Sequence, residues 1–315
     1  MPTSSSDAIK GTAAGVPYTA LPPRDNAAHA PLVLIWHLMD PPCTDAAMAA
    51  ALPMAALPAW RVYLGLPLTG RRLPTGGFDE LMRLGHADAV LNLFDPILSQ
   101  AIDEAPVAAA AVRTELGIAE GPIGVAGGSL GAAVAAGVIA GRALPVAAAA
   151  LVNPAVRVAG AVAATERRYA MRYEWTDAAC AIADRFDFLR RAAEIATTAA
   201  PLLLVSGEND DPEFRADAEA LRRELACCYG EHSHVQWHSV PGMPHHLAEP
   251  PGIAPAPQNE HAVAVDAAVT SWFAEQLCNS PPASARARAE VTGASQRMRA
   301  VNVSGRPPSA AGSSG

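Results

Sequence analysis

The sequence predicts one doubly wound α/β domain built on a mostly parallel sheet, and three observations predict it. The short run Leu32–Trp36 (LVLIW) is apolar at every position and Trp60–Leu64 (WRVYL) at every one but Arg61, the pattern of strands buried between two helical layers. Segments with helical spacing separate these runs, and strand–helix alternation with right-handed crossovers yields a sheet covered on both faces. A Gly-x-Ser-x-Gly sequence also stands where one apolar run gives way to a stretch of small residues. That is the sequence of a sharp strand-to-helix turn.

Composition narrows the class. The chain has 315 residues, half of them apolar, and a net charge of −8. A chain this long can bury a large core, and its apolar content excludes wholesale disorder. The acidic balance argues against a nucleic-acid partner. No apolar run reaches the roughly 18 to 20 residues of a membrane span, and Met1–Ala30 lacks a signal-peptide core. The expectation is a cytoplasmic protein with no membrane partner. Five scattered cysteines (Cys43, Cys180, Cys227, Cys228, Cys278) suit neither a metal knuckle nor a disulfide framework, and are expected to be buried, reduced thiols.

Taken in order, residues 1–30 read as a partly disordered extension with one short strand at Val16–Leu21. The domain spans residues 31–278. Its strands are Leu32–Trp36, Trp60–Leu64, Ile123–Ala126, Pro145–Val152, Leu202–Val205 and Val235–Val240. Pro145–Val152 is bracketed by Gly141 and Asn153-Pro154, which favours a strand over a helix. Pro212–Cys228 is a helix, with Phe214, Ala218, Leu221, Leu225 and Cys228 along one face. His261–Leu277 is another, carrying Val265, Val269, Phe273 and Leu277. Residues 279–315 hold five arginines against Glu290 alone and almost no large apolar side chains, so a disordered tail is expected.

The chemistry concentrates at Gly127-Gly128-Ser129-Leu130-Gly131. A nucleophilic serine must be pushed into a strained turn above the sheet, where side chains two positions before and after would collide. The same turn frees the Leu130 amide to face a developing oxyanion at the positive end of a helix. Gly124, Gly127, Gly128 and Gly131 do not match the Gly-x-Gly-x-x-Gly spacing of a dinucleotide site.

A serine hydroxyl needs a base, and the base needs an orienting acid. After strand Leu202–Val205 comes Ser206-Gly207-Glu208-Asn209-Asp210-Asp211-Pro212. Pro212 suits the first helical position, which makes Asp211 the N-cap and leaves Asp210 free to reach a histidine. Asp210 is therefore favoured over Asp211 as the acid, with Glu208 the outsider. The base is His245, in the loop Pro241–Leu247 that follows strand Val235–Val240. On that strand His234, Gln236 and His238 form a polar outer face and Val235 and Trp237 a buried one. No carboxylate or thiolate is spaced to complete a metal set with these histidines, His232 or His246, so neither metal nor cofactor is expected.

With Ser129, Asp210 and His245 in that order on such a sheet, the chain resembles the α/β-hydrolase family over residues 30–278. It is most similar to bacterial serine esterases near the dienelactone-hydrolase and prolyl-oligopeptidase-like branches. The resemblance implies a helical cap insertion at about residues 155–200, where Arg167, Arg168 and Tyr169 lie. It implies an oxyanion hole made by the amides of Leu130 and Met39, or of Leu38 if the loop is short. The family usually has a glycine after the histidine matching His37. Leu38 stands there instead, so the hole is expected to be reshaped. His37 anchors that loop, and His37, Gly128, Arg167 and Tyr169 are expected to border the substrate; Arg167 and Arg168 read either as a clamp for an anionic substrate or as surface arginines on a helix. The implied activity is hydrolysis of a small carboxylic ester. The alternatives are a serine peptidase or amidase, and a non-catalytic binding protein on the same fold.

Overall fold

The computed structural model describes residues 8–230 and 234–278, with residues up to Cys278 in one compact unit. Eight strands form one sheet: β1 (Ile9–Ala13), β2 (Val16–Leu21), β3 (Leu32–Trp36), β4 (Trp60–Leu64), β5 (Ile123–Gly128), β6 (Val146–Val152), β7 (Leu202–Gly207) and β8 (Val235–Val240). Their order is β1-β2-β4-β3-β5-β6-β7-β8, and every pair from β4 to β8 is parallel. The apolar runs thus form strands where the sequence puts them, with β5 and β7 each two residues longer.

Successive residues of β3 serve opposite faces. Leu32, Leu34 and Trp36 pack into one core and Val33 and Ile35 into the other. Helices α3 (Asp95–Leu116), α4 (Leu130–Ala140), α5 (Val158–Tyr169) and α8 (Pro212–Tyr229) cover the first face. Helices α1 (Asp45–Ala51) and α9 (Glu260–Phe273) cover the second. Each fully buried Leu, Ile or Val contributes about 1.5–3 kcal/mol, so a strand apolar on both faces is held twice over. The remaining helices are α2 (Gly77–Ala89), α6 (Asp177–Arg185) and α7 (Ala192–Ala196), the last two lying with α5 in the stretch expected to form the cap.

The sheet reverses direction at β3. The chain steps outward from β3 to β4, then returns to place β5 on the other side of β3. Helix α1 leaves β3 toward one face and α4 leaves β5 toward the other, which makes the carboxyl ends of β3 and β5 the switch point of the sheet, where open α/β sheets bind their ligands. The loops carrying His37 and Ser129 meet there.

Three sequence expectations need correction. Residues 9–21 are not an extension but the antiparallel edge of the sheet, with β2 paired to β4. β1 (IKGTA) is short and mixed in character, and its order comes from packing: a Cβ at Gly11 would lie 2.5 Å from the buried Tyr18 ring. Trp237 is 37% exposed rather than inward, because β8 is the sheet edge, and the Arg222 guanidinium lies over its ring. Cys180, Cys227 and Cys228 are exposed, not buried. The expectation of a disordered tail at 279–315, and His232, lie outside the described residues.

Candidate active site

The turn after β5 is built around missing side chains. Ser129 adopts φ 50°, ψ −117°, a strained conformation for a residue with a Cβ. A Cβ on Gly127 would fall 2.2 Å from the Gly131 carbonyl group, and one on Gly131 would fall 2.4 Å from the His37 carbonyl oxygen. Glycine at both places lets β5, α4 and the end of β3 close on one another. The Ser129 amide continues the sheet by donating to Val152 O at 2.9 Å, while its carbonyl accepts from Ala132, Ala133 and Ala155. Leu130 is the first residue of α4, so its amide has no acceptor within the helix.

Ser129, His245 and Asp210 come together in one hydrogen-bonded run. The His245 Nδ1–H donates to Asp210 Oδ1 at 2.7 Å, which leaves Nε2 to accept the Ser129 hydroxyl at 2.8 Å. Asp210 Oδ1 also accepts the Asp211 amide at 2.6 Å, whereas Oδ2 is buried without a partner. All three residues are buried, and the Phe214 ring stacks on the imidazole with centroids 4.4 Å apart. The carboxylate that meets His245 is thus that of Asp210, not Asp211. Asp211 occupies the N-cap of α8 as expected, yet its carboxylate makes no capping bond. It pairs with Arg167 at 2.6 Å and Arg168 at 2.9 Å. Burial alone would raise the Asp211 carboxyl, but those hydrogen bonds and charges outweigh it and hold the group below its usual range.

One residue that sequence reasoning passed over ties these loops together. Asn153 follows β6 with φ 41°, and its Nδ2 donates to the carbonyls of Pro244 and His245, each at 3.0 Å. Its Oδ1 accepts the Gly207 amide at 2.8 Å. A single buried amide therefore joins the end of β6, the acid turn and the histidine loop. The available signal was an Asn placed directly after an apolar strand, since Asn tolerates the left-handed region and hydrogen-bonds nearby backbone.

The residues expected to border the substrate fare differently. His37 is fully buried and cannot touch one. Its Nδ1–H donates to Leu38 O at 2.6 Å, and its Nε2 accepts the Leu66 amide at 3.1 Å. An amide can only donate, so the ring is the neutral Nδ1–H tautomer. Burial lowers its pKa to about 4 against the opposing pull of the Leu38 carbonyl. Gly128 does not border open space either: a Cβ there would lie 2.3 Å from Leu38 Cδ1. Leu38 itself keeps a backbone outside the left-handed region, so it does not need the geometry that glycine accepts more readily. Its side chain is buried in the core beneath the elbow, and the partly buried Met39 follows it in the loop.

Arg167 and Arg168 are not free to clamp an anion. Arg167 pairs with Glu213 as well as Asp211, and Arg168 spans Asp211 and Asp40, the latter at 3.1 Å. Tyr169 is 67% exposed at the end of α5 and has no hydrogen-bond partner among the described residues. Among the described residues, no three His, Cys, Asp or Glu side chains cluster in a way that could hold a metal ion. No described helix is long and apolar enough to cross a membrane.

Sequence comparison finds no matching protein-family model and no matching curated protein. Comparison of the structure finds many similar folds. The chain resembles TT1662 from Thermus thermophilus, with 17% identity, a TM-score of 0.56, and 84% of this chain and 97% of that one covered. Est1E from Butyrivibrio proteoclasticus has 15% identity and a TM-score of 0.54, with 86% and 98% covered. These are α/β-hydrolase-fold proteins. The chain has the α/β-hydrolase fold. A puromycin-hydrolysing peptidase of Mycobacterium tuberculosis has 16% identity and a TM-score of 0.59, with 86% of this chain covered. The chain spans only 39% of that peptidase's length.

Proposed function

We propose that this protein is a serine hydrolase that cleaves a small carboxylic ester through an acyl-enzyme. The observation that carries the reading is the hydrogen-bonded run from Ser129 through His245 to Asp210 on a strained turn. In the reaction, Ser129 Oγ bonds to the acyl carbon as its proton passes to His245 Nε2. Asp210 holds the imidazole in the required tautomer and stabilises the imidazolium. The amides of Leu130 and Met39 receive the charge that builds on the carbonyl oxygen. The ester C–O bond breaks, the alcohol leaves with the proton from Nε2, and water then releases the acid by the same steps in reverse.

Similar folds include both the Est1E esterase and the puromycin-hydrolysing peptidase, and an ester is preferred here because an alcohol leaves the tetrahedral intermediate more readily than an amine. Labelling with a fluorophosphonate probe tests the nucleophile: the wild type is labelled and Ser129→Ala is not. Matched p-nitrophenyl butyrate and aminoacyl p-nitroanilide substrates then separate ester from amide cleavage. Folded wild-type protein that neither labels nor turns over either substrate refutes the proposal and leaves a binding protein.

A further inference from the structure

The charge that faces the reacting atoms is a carboxylate. Asp40 lies just past Met39 in the loop that follows β3, and its Oδ2 stands 3.8 Å from His245 Nε2. Oδ1 is taken by Arg168 at 3.1 Å, whereas no described residue donates a hydrogen bond to Oδ2, and the side chain is 37% exposed. Arg167 and Arg168 at the end of α5 do not cancel this charge. Arg168 divides its guanidinium between Asp40 and Asp211, and Arg167 is held by Asp211 and Glu213. Three carboxylates share two guanidinium groups, which leaves one negative charge over at the rim of the site.

Position relative to Nε2 decides what that charge does. Under the proposed function, on which this inference rests, Nε2 hands its proton to the departing alcohol oxygen. That oxygen must therefore come within hydrogen-bonding distance of Nε2, about 2.6–3.2 Å. The leaving group, not the acyl group, is then the part of the substrate beside Asp40 Oδ2. A nitrogen two carbons beyond the ester oxygen falls within reach of the carboxylate, whereas a second negative charge there is repelled.

We infer that Asp40 selects esters whose alcohol portion carries a positive charge, such as esters of amino alcohols, over neutral and anionic ones. Asp40 acts as a specificity residue through its free oxygen, and Arg168 moderates it by holding the other. The selection is opposite in sign to an arginine clamp for anions.

The test compares two esters of one shape: butyrylcholine, and 3,3-dimethylbutyl butyrate, in which carbon replaces the ammonium nitrogen. The acid released is titrated to obtain kcat/KM. A charge pair at a partly exposed site is expected to favour the choline ester by about ten-fold in the wild type at low ionic strength. Asp40→Asn brings the ratio close to one, and Arg168→Gln, which frees Asp40 of its counter-charge, raises it. Thermal denaturation of each variant checks the fold. Equal rates in the wild type, or a ratio unchanged by Asp40→Asn, overturn the inference and leave the ester reading standing. Failure of the folded wild type to hydrolyse either ester overturns both.

Discussion

Acidification should unfold this protein in part through one histidine that never meets the substrate. His37 is fully buried, with Nδ1–H spent on the Leu38 carbonyl and Nε2 on the Leu66 amide. Protonating Nε2 would set two donors against each other and place a charge where no water reaches. The ring's pKa accordingly falls from 6.5 to about 4 in the folded chain. Between those values the unfolded chain binds a proton that the folded chain refuses. Stability is therefore complete above pH 6.5 and declines as pH falls toward 4, by about 3 kcal/mol from this residue alone. That is a large part of the roughly 5–15 kcal/mol that holds a typical domain together.

The assay is urea denaturation at pH 8, 6.5, 5 and 4, for the wild type and for His37→Asn. Asparagine keeps a short donor toward Leu38 O but cannot titrate. The variant should be the less stable protein at pH 8, where the bond from the Leu66 amide is lost. Its disadvantage should shrink by about 3 kcal/mol between pH 6.5 and 4, because only the wild type pays for excluding the proton. Every other titrating group is common to both proteins and drops out of the difference. A difference that stays constant across this range would refute the reasoning.

Three further outcomes follow from the geometry. Asn153→Ala leaves the Gly207 amide and the Pro244 and His245 carbonyls without their partner. Urea denaturation should show a loss of about 3 kcal/mol, and kcat should fall with it as the histidine loop loosens. Phe214→Leu removes the ring stacked on His245. A stack worth about 1 kcal/mol predicts a roughly five-fold fall in kcat with KM little changed, and Phe214→Tyr should restore it. Gly128→Ala drives a methyl group into Leu38, so its cost in Tm should be partly relieved by Leu38→Ala, with a coupling of about 1 kcal/mol or more in a double-mutant cycle. Strict additivity would mean that the two residues do not share that space.

What could be read in advance was whatever depends on local sequence. β3 and β4 begin and end where their apolar runs do, β8 spans the alternating stretch Val235–Val240, and Ser129, Asp210 and His245 each follow a strand expected from the sequence. Helix α8 buries Phe214, Ala218, Leu221 and Leu225 as the spacing requires, while Cys228, a turn further on, is exposed. β1 could not be read in this way, because a five-residue run containing Lys, Gly and Thr becomes a strand only through its pairing with β2. Asn153 was visible as a turn residue. Its three partners, more than 50 positions away, were not.

The misreading of the arginines has the same origin and a sharper lesson. Two adjacent arginines near the end of a helix invite an anionic ligand for as long as their partners are unknown. Those partners are Asp211 and Glu213 at the start of α8 and Asp40 beyond β3, and only the fold brings them to α5. Once they are present, the guanidinium groups serve to fasten the end of α5 beside the turn that holds Asp210. The unspent charge at the rim changes sign. Local sequence thus points to the groups proposed to perform the chemistry, because a strained turn and an ordered acid and base demand particular residues in particular places. What the site accepts depends on a balance among charges from three distant segments, and that balance exists only in the folded chain.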